Sequence, residues 1–375
     1  MKPFTLAACL IGLAAPAPGE GFDTMEALGE ALFNDAALSA NRTQSCATCH
    51  NPDFAFTDPR ETDAGLAVSL GDDGASLGDR NAPTAAYAMF SPRFEQLDPG
   101  IYRGGQFLDG REPDLEGQAG GPPLNPIEMG MPDKASVVAR LRENPDYIDA
   151  FATLFGRDVW NETDAAYRAM TEAIAAFERT EVFAPFDSKY DRFLRGEVAL
   201  TQEEELGRLL FFSQQFTNCN LCHQLRTSPV AADETFSNYE YHNIGVPENR
   251  AVRSMTGVTG IDHGLLANPE VDDPATDGKF KVPTLRNVAV TGPYMHNGVF
   301  GDLRTVVLFY NMYNTKTPEM LINPETGAPF APPEVPDTLS MEELTHGPAL
   351  DDKRIDALVA FMKTLTDARY EYLLE

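Results

Sequence analysis

The chain has 375 residues, enough for two domains of ordinary size, and 43% are hydrophobic, so each domain can bury a core. With 57 acidic against 29 basic residues the net charge is −28, which repels phosphate backbones and anionic lipid and argues against nucleic acid and membrane surfaces as partners. A basic protein would be steered toward such a surface, although acidity also serves solubility alone.

In chain order, residues 1–20 read as a secretory signal. Lys2 is the positive end, Phe4 to Ala15 the apolar stretch, and Ala15-Pro16-Ala17 a small-residue cleavage zone. The stretch is too short to span a bilayer, and Leu6-Ala7-Ala8-Cys9 has too few residues before it for a lipoprotein signal. No later segment is long and apolar enough to insert, so the mature protein is expected to be soluble and periplasmic. A short helix follows over Leu28–Phe33, then Cys46-Ala47-Thr48-Cys49-His50, a long irregular stretch, and an amphipathic helix over Tyr167–Thr180. The lone Trp160 sits in the loop before that helix. A boundary is expected between Glu181 and Leu200, dividing residues 21–185 from 186–375, because Thr201-Gln202-Glu203-Glu204 reads as an N-cap with an acidic first turn. The pattern then repeats: Leu206–Phe211, Cys219-Asn220-Leu221-Cys222-His223, irregular chain, a helix over Leu303–Tyr313, and a closing helix over Ile355–Thr366.

C-x-x-C-H is the attachment signature of c-type haem: two thiols form thioethers with the vinyl groups and the next residue, His, ligates the iron. A redox C-x-x-C pair has no need of the His, and zinc would gather four ligands in one place. Cys46, Cys49, Cys219 and Cys222 are all the cysteines outside the signal. Two covalently bound haem c groups, with His50 and His223 on the irons, are therefore expected. Helix, C-x-x-C-H, irregular wrap and closing helix, given twice, predict a mainly α protein of two tandem cytochrome c-like domains, each with one haem.

Ala55-Phe56-Thr57-Asp58, Arg80-Asn81-Ala82-Pro83-Thr84, Asp109-Gly110-Arg111, Leu115 to Gln118, Glu128-Met129, Pro283 to Val288 and Pro293-Tyr294-Met295-His296 occur in an order and spacing that resemble the bacterial di-haem cytochrome c peroxidase and MauG family, over nearly the whole mature chain. The resemblance implies a peroxide-reactive haem in the first domain and an electron-transfer haem in the second. It assigns Glu128 as the acid–base group for peroxide cleavage and Gln118 as the residue that orients bound oxygen; Glu128 read alone is equally a solvated loop carboxylate. It also implies a calcium ion held by the Asn81 side chain and the Thr291 and Pro293 carbonyls, a hard oxygen set. Relatives that need prior reduction carry a His in the loop here occupied by Ser69-Leu70-Gly71-Asp72-Asp73, and no His lies between His50 and His223. The first haem is accordingly expected to be five-coordinate. The residue fourteen after His296, where peroxidases place a Met ligand, is Tyr310, as in the MauG branch. Met312, His242, His263 and His296 are the other candidates for that position, and His346 reads as a surface residue.

Two positions depart from the family. Leu108 replaces the Trp between the haems, and Thr217 replaces the surface Trp six residues before the second haem His in MauG. From sequence alone the first-ranked function is a periplasmic peroxidase of the cytochrome-c peroxidase type. It reduces hydrogen peroxide at the first haem with electrons from a small c-type cytochrome or cupredoxin. A MauG-like peroxide-dependent oxidase acting on a protein substrate ranks second, and a non-catalytic di-haem carrier or sensor third.

Overall fold

Two hydrophobic cores, one per half of the chain, organise the residues that the computed structural model describes, 22–374. The expected secretion signal, with Cys9, lies outside these residues. The helices are α1 (Met25–Phe33), α2 (Cys46–Cys49), α3 (Leu115–Ala119), α4 (Lys134–Leu141), α5 (Pro145–Leu154), α6 (Thr163–Glu178), α7 (Lys189–Leu194), α8 (Gln202–Phe211), α9 (Cys219–Cys222), α10 (Arg250–Thr256), α11 (Leu303–Asn311), α12 (Met341–Leu344) and α13 (Asp352–Lys363). Sheet is limited, among the described residues, to three antiparallel strand pairs: β1 (Glu95–Asp98) with β2 (Ile101–Arg103), β3 (Tyr241–His242) with β4 (Phe280–Lys281), and β5 (Ile322–Asn323) with β6 (Ala328–Pro329). The chain is thus mainly helical, as its periodicity predicts.

The two cores are built alike. In the first, α1 packs on α6; in the second, α8 packs on α13. Each pair crosses at a glycine, because a Cβ at Gly29 would collide with the Ala173 carbonyl and one at Gly207 with the Ala357 carbonyl. Aromatic rings fill both cores edge to face: Phe33 against Phe177 and Phe183, and Phe211 and Tyr190 against Phe236. The predicted start of the second half is seen at Thr201. Its hydroxyl accepts from Glu204 N (3.2 Å) while the Glu204 carboxylate accepts from Thr201 N (2.7 Å), a capping box opening α8. Phe183 and Ala184 belong to the first core and Tyr190 to the second.

The duplication extends into the irregular chain. Thr84 Oγ1 donates to Ala55 O (2.5 Å), and Thr284 Oγ1 to Thr235 O (2.7 Å). Three residues on, Tyr87 (φ 60) and Asn287 (φ 63) both turn left-handed, and their N–H groups donate to Phe183 O and Leu365 O, each at 3.0 Å. The two backbone bonds pin the wrap that follows each C-x-x-C-H onto the segment just after its closing helix.

Candidate functional site: two haem pockets

Each C-x-x-C is one helical turn, which puts both sulfurs on one side of the chain. The turn closes with His50 N donating to Cys46 O (2.8 Å) and His223 N to Cys219 O (2.9 Å). Among the described residues the four cysteines are free. Burial pushes Cys46 and Cys222 up to about 12 and Cys49 and Cys219 up to about 11, so all four are protonated thiols at neutral pH. No group of three or more His, Cys, Asp or Glu side chains converges as a bare metal site among the described residues, which removes the zinc alternative.

The two histidines are held identically. His50 Nδ1 lies 3.1 Å from Phe56 O and His223 Nδ1 lies 3.1 Å from Phe236 O. A carbonyl only accepts, so Nδ1 carries the proton and Nε2 presents its lone pair. Burial lowers His50, and lowers His223 to about 4, keeping both rings neutral as ligation requires. Both carbonyls reach inward because Phe56 and Phe236 adopt φ 56. This donor set, two thiols and one neutral imidazole aimed the same way, fits covalent haem at each site. His50 and His223 would hold the irons, and the groups would supply peroxide activation and electron storage.

The opposite faces differ. Near the first motif, α3 carries the half-buried Gln118 and is followed by a turn ending at Glu128. Gly121 N donates to Gln118 O (3.0 Å) and Met129 N to Pro122 O (3.3 Å), closing that turn. Glu128 is held by Asn125 Nδ2 at 2.8 Å, its charge is felt at both Cys46 and Cys49, and burial raises its carboxyl above the usual range. Glu128 is thus partly buried and tethered on its turn. The Ser69–Asp73 loop is tied to the same turn. Asp72 N donates to Glu128 O (2.7 Å), and the Asp72 carboxylate accepts from Asn41 N (2.6 Å) and Thr43 Oγ1 (2.6 Å).

A cavity of about 350 Å³ opens beside the second motif, lined by Cys219, Cys222, His223 and, from α11, Tyr310. Burial pushes the Tyr310 phenol up, so it ionises only against a cation at the same spot. Met312, the C-cap of α11, is not among the lining residues, and neither is His263, which is half exposed and bonded to Asp277 (2.7 Å). His242 and His296 do line the cavity; the His296 ring lies flat on Phe280 at 3.7 Å. Leu108 also lines it, with its carbonyl accepting from Lys281 N (2.9 Å). Thr217 is buried and spends its hydroxyl on Leu210 O (2.6 Å). Trp160 stacks on Phe151 at 4.8 Å, within the first core.

Asn81, Thr291 and Pro293 all line the same cavity. Asn81 Nδ2 donates to Ala67 O (3.1 Å), which leaves Oδ1 as the free donor. Asn81 and Thr291 also border a void of about 10 Å³, the size of a water or small cation. An amide oxygen among backbone carbonyls is a hard-donor set suited to calcium.

Sequence reasoning missed the Phe56 and Phe236 carbonyls and the buried contact of Tyr87 with Asp367 (2.6 Å). Aligning the halves of the chain, Ala55-Phe56 on Thr235-Phe236 and Pro83–Tyr87 on Pro283–Asn287, is the signal that would have found them.

Comparison with known proteins agrees with this geometry. The model of the di-haem cytochrome c peroxidase family matches residues 23–199. The chain is 57% identical to the methylamine utilization protein MauG of Paracoccus denitrificans, over 98% of this chain and 97% of that one. It is 34% identical to the cytochrome c peroxidase Ccp of Escherichia coli, over 72% of this chain and 50% of that one. Among solved structures, the diheme peroxidase BthA of Burkholderia thailandensis superposes with a TM-score of 0.81 at 33% identity, over 94% of this chain and 88% of that one. The two C-x-x-C-H sites, their matched histidine supports and these relatives together place the chain in the di-haem cytochrome c peroxidase and MauG family.

Proposed function

We propose that this protein is a periplasmic peroxide-dependent oxidase of the MauG kind. Its two cytochrome c-like domains, residues 21–185 and 186–375, each carry a covalent haem c. Sequence alone ranks plain peroxidase first; the 57% identity to MauG along the full chain supports the reverse order. The observation that carries this reading is Tyr310, buried in the cavity that holds His223. A phenolate ligand is a hard anion, which lowers the potential and favours oxidised iron over the reduced, electron-donating state a simple peroxidase uses.

At the first site Glu128 takes the proton from one peroxide oxygen and returns it to the other, held in place by Asn125. Gln118 orients the oxygen. At the second site Tyr310 and His223 set the haem. The Asn81, Thr291 and Pro293 oxygens hold calcium between the halves. The partner is hydrogen peroxide together with a protein side chain that supplies electrons.

The test gives the ferric protein hydrogen peroxide without reductant, then adds either a reduced small c-type cytochrome, a cupredoxin, or proteins encoded beside it. Slow turnover of the small carriers with oxidation of a protein substrate is expected. Fast multiple turnover of the cytochrome, beginning only after prior reduction, would restore the plain peroxidase.

A further inference from the structure

The cavity beside the second motif is lined by Tyr87, Tyr239, Tyr294 and Tyr310. Oxidising a phenol at neutral pH requires somewhere for its proton to go. Tyr310 is the expected ligand, Tyr239 OH is buried with no partner, and Tyr294 feels the charge of Asp302 without a hydrogen bond to it. Tyr87 alone among these four donates to a buried carboxylate, Asp367 Oδ1, at 2.6 Å. It is wholly buried, belongs to the first core, and bonds a residue of the second half.

Asp367 is itself fixed. Its Oδ2 accepts from Asn287 Nδ2 (2.8 Å), and its N–H donates to Asn287 Oδ1 (2.8 Å). Asn287 is the counterpart of Tyr87 in the repeat, so both copies of one position converge on one carboxylate. The Arg286 guanidinium lies 5.4 Å from the Tyr87 ring centre. A cation there opposes a charged ring, so electron loss must be accompanied by proton loss. Burial raises the Asp367 carboxyl, which makes it a better proton acceptor.

We infer that Tyr87 is the residue that stores an oxidising equivalent between the two halves, with Asp367 as its proton acceptor. Tyr87 gives one electron to the peroxide-oxidised haem site. The Tyr87 O–H bond breaks and an Asp367 Oδ1–H bond forms, leaving a neutral tyrosyl radical. Reduction by the substrate returns the electron, and the proton moves back. The oxidant is hydrogen peroxide, so this inference rests on the proposed function.

The experiment is a peroxide pulse on the haem-loaded protein, frozen at intervals and read by EPR, with optical spectra in parallel. Wild type is compared with Tyr87→Phe and Asp367→Asn, with ring-deuterated tyrosine as the label. The inference predicts a radical signal in wild type that narrows with deuterated tyrosine and forms more slowly in D2O. It is lost in Tyr87→Phe and falls severalfold in Asp367→Asn, while peroxide still changes the haem spectra of all three. An unchanged signal in Tyr87→Phe, or haem changes in wild type with no tyrosyl signal, overturns this inference and leaves the proposed function standing. No haem change in wild type overturns both, and the D2O comparison needs no variant to fold.

Discussion

The two C-x-x-C-H sites are alike on the histidine side and unlike on the other. His50 and His223 each sit 3.1 Å from a carbonyl that a left-handed Phe turns inward. Thr84 and Thr284 brace the two loops the same way, and Gly29 and Gly207 let the same helix pair close behind them. Beside the first motif the chain offers Glu128, a carboxyl raised by burial; the cavity of His223 instead receives the phenol of Tyr310. The duplication thus gives two matched histidine supports. Under the proposed function, the residue beside each support sets whether that site moves a proton on peroxide or holds oxidised iron.

Exchanging the facing residues breaks the comparison most severely. Glu128→Gln keeps the Asn125 contact in shape but removes the proton carrier, and should slow the reaction with peroxide about 10²–10⁴-fold in stopped-flow. The same group sets a pH dependence. The ionised form must accept the first proton, so kcat/KM should fall as pH drops through a pKa above the ordinary carboxylate value of 4.5. Glu128→Gln should flatten that limb. Next, Tyr310→Met should raise the potential of the second haem and introduce a sulfur-to-iron band, with the first haem unaffected; potentiometry with optical detection reads both.

Smaller effects test the shared half. Gly29→Ala and Gly207→Ala should each cost about 1–3 kcal/mol in denaturant unfolding, because each Cβ meets a helix carbonyl that cannot retreat. Thr84→Val and Thr284→Val should each cost about 1 kcal/mol by leaving a carbonyl unpaired. Strongly unequal costs within either pair would mean that the halves are less alike than their geometry.

What could be read in advance follows from distance along the chain. Cys46 to His50 and Cys219 to His223 span one turn each, so their chemistry is local and visible as text. The helix pairs were visible because apolar residues recur at helical spacing. Thr163–Glu178 and Asp352–Lys363 each begin a few residues before the predicted spans and end two or three before them, as the ends of a periodic pattern are weakly marked. Glu128 and Asn81 were identifiable only through resemblance, since nothing in a chain with 57 acidic residues singles out one carboxylate. The Phe56 and Phe236 carbonyls carry no side-chain signal at all. Tyr87 and Asp367 meet across 280 residues, a contact made by the packing of the two halves and by no local pattern.

The most direct test of the central claim is the optical and low-temperature EPR spectrum of the ferric protein before and after one equivalent of hydrogen peroxide. An open first site facing Glu128 and a Tyr310-ligated second haem predict one high-spin and one low-spin ferric signal, no methionine-to-iron band, and rapid bleaching without prior reduction. Two low-spin haems that ignore peroxide until one is reduced would contradict the account.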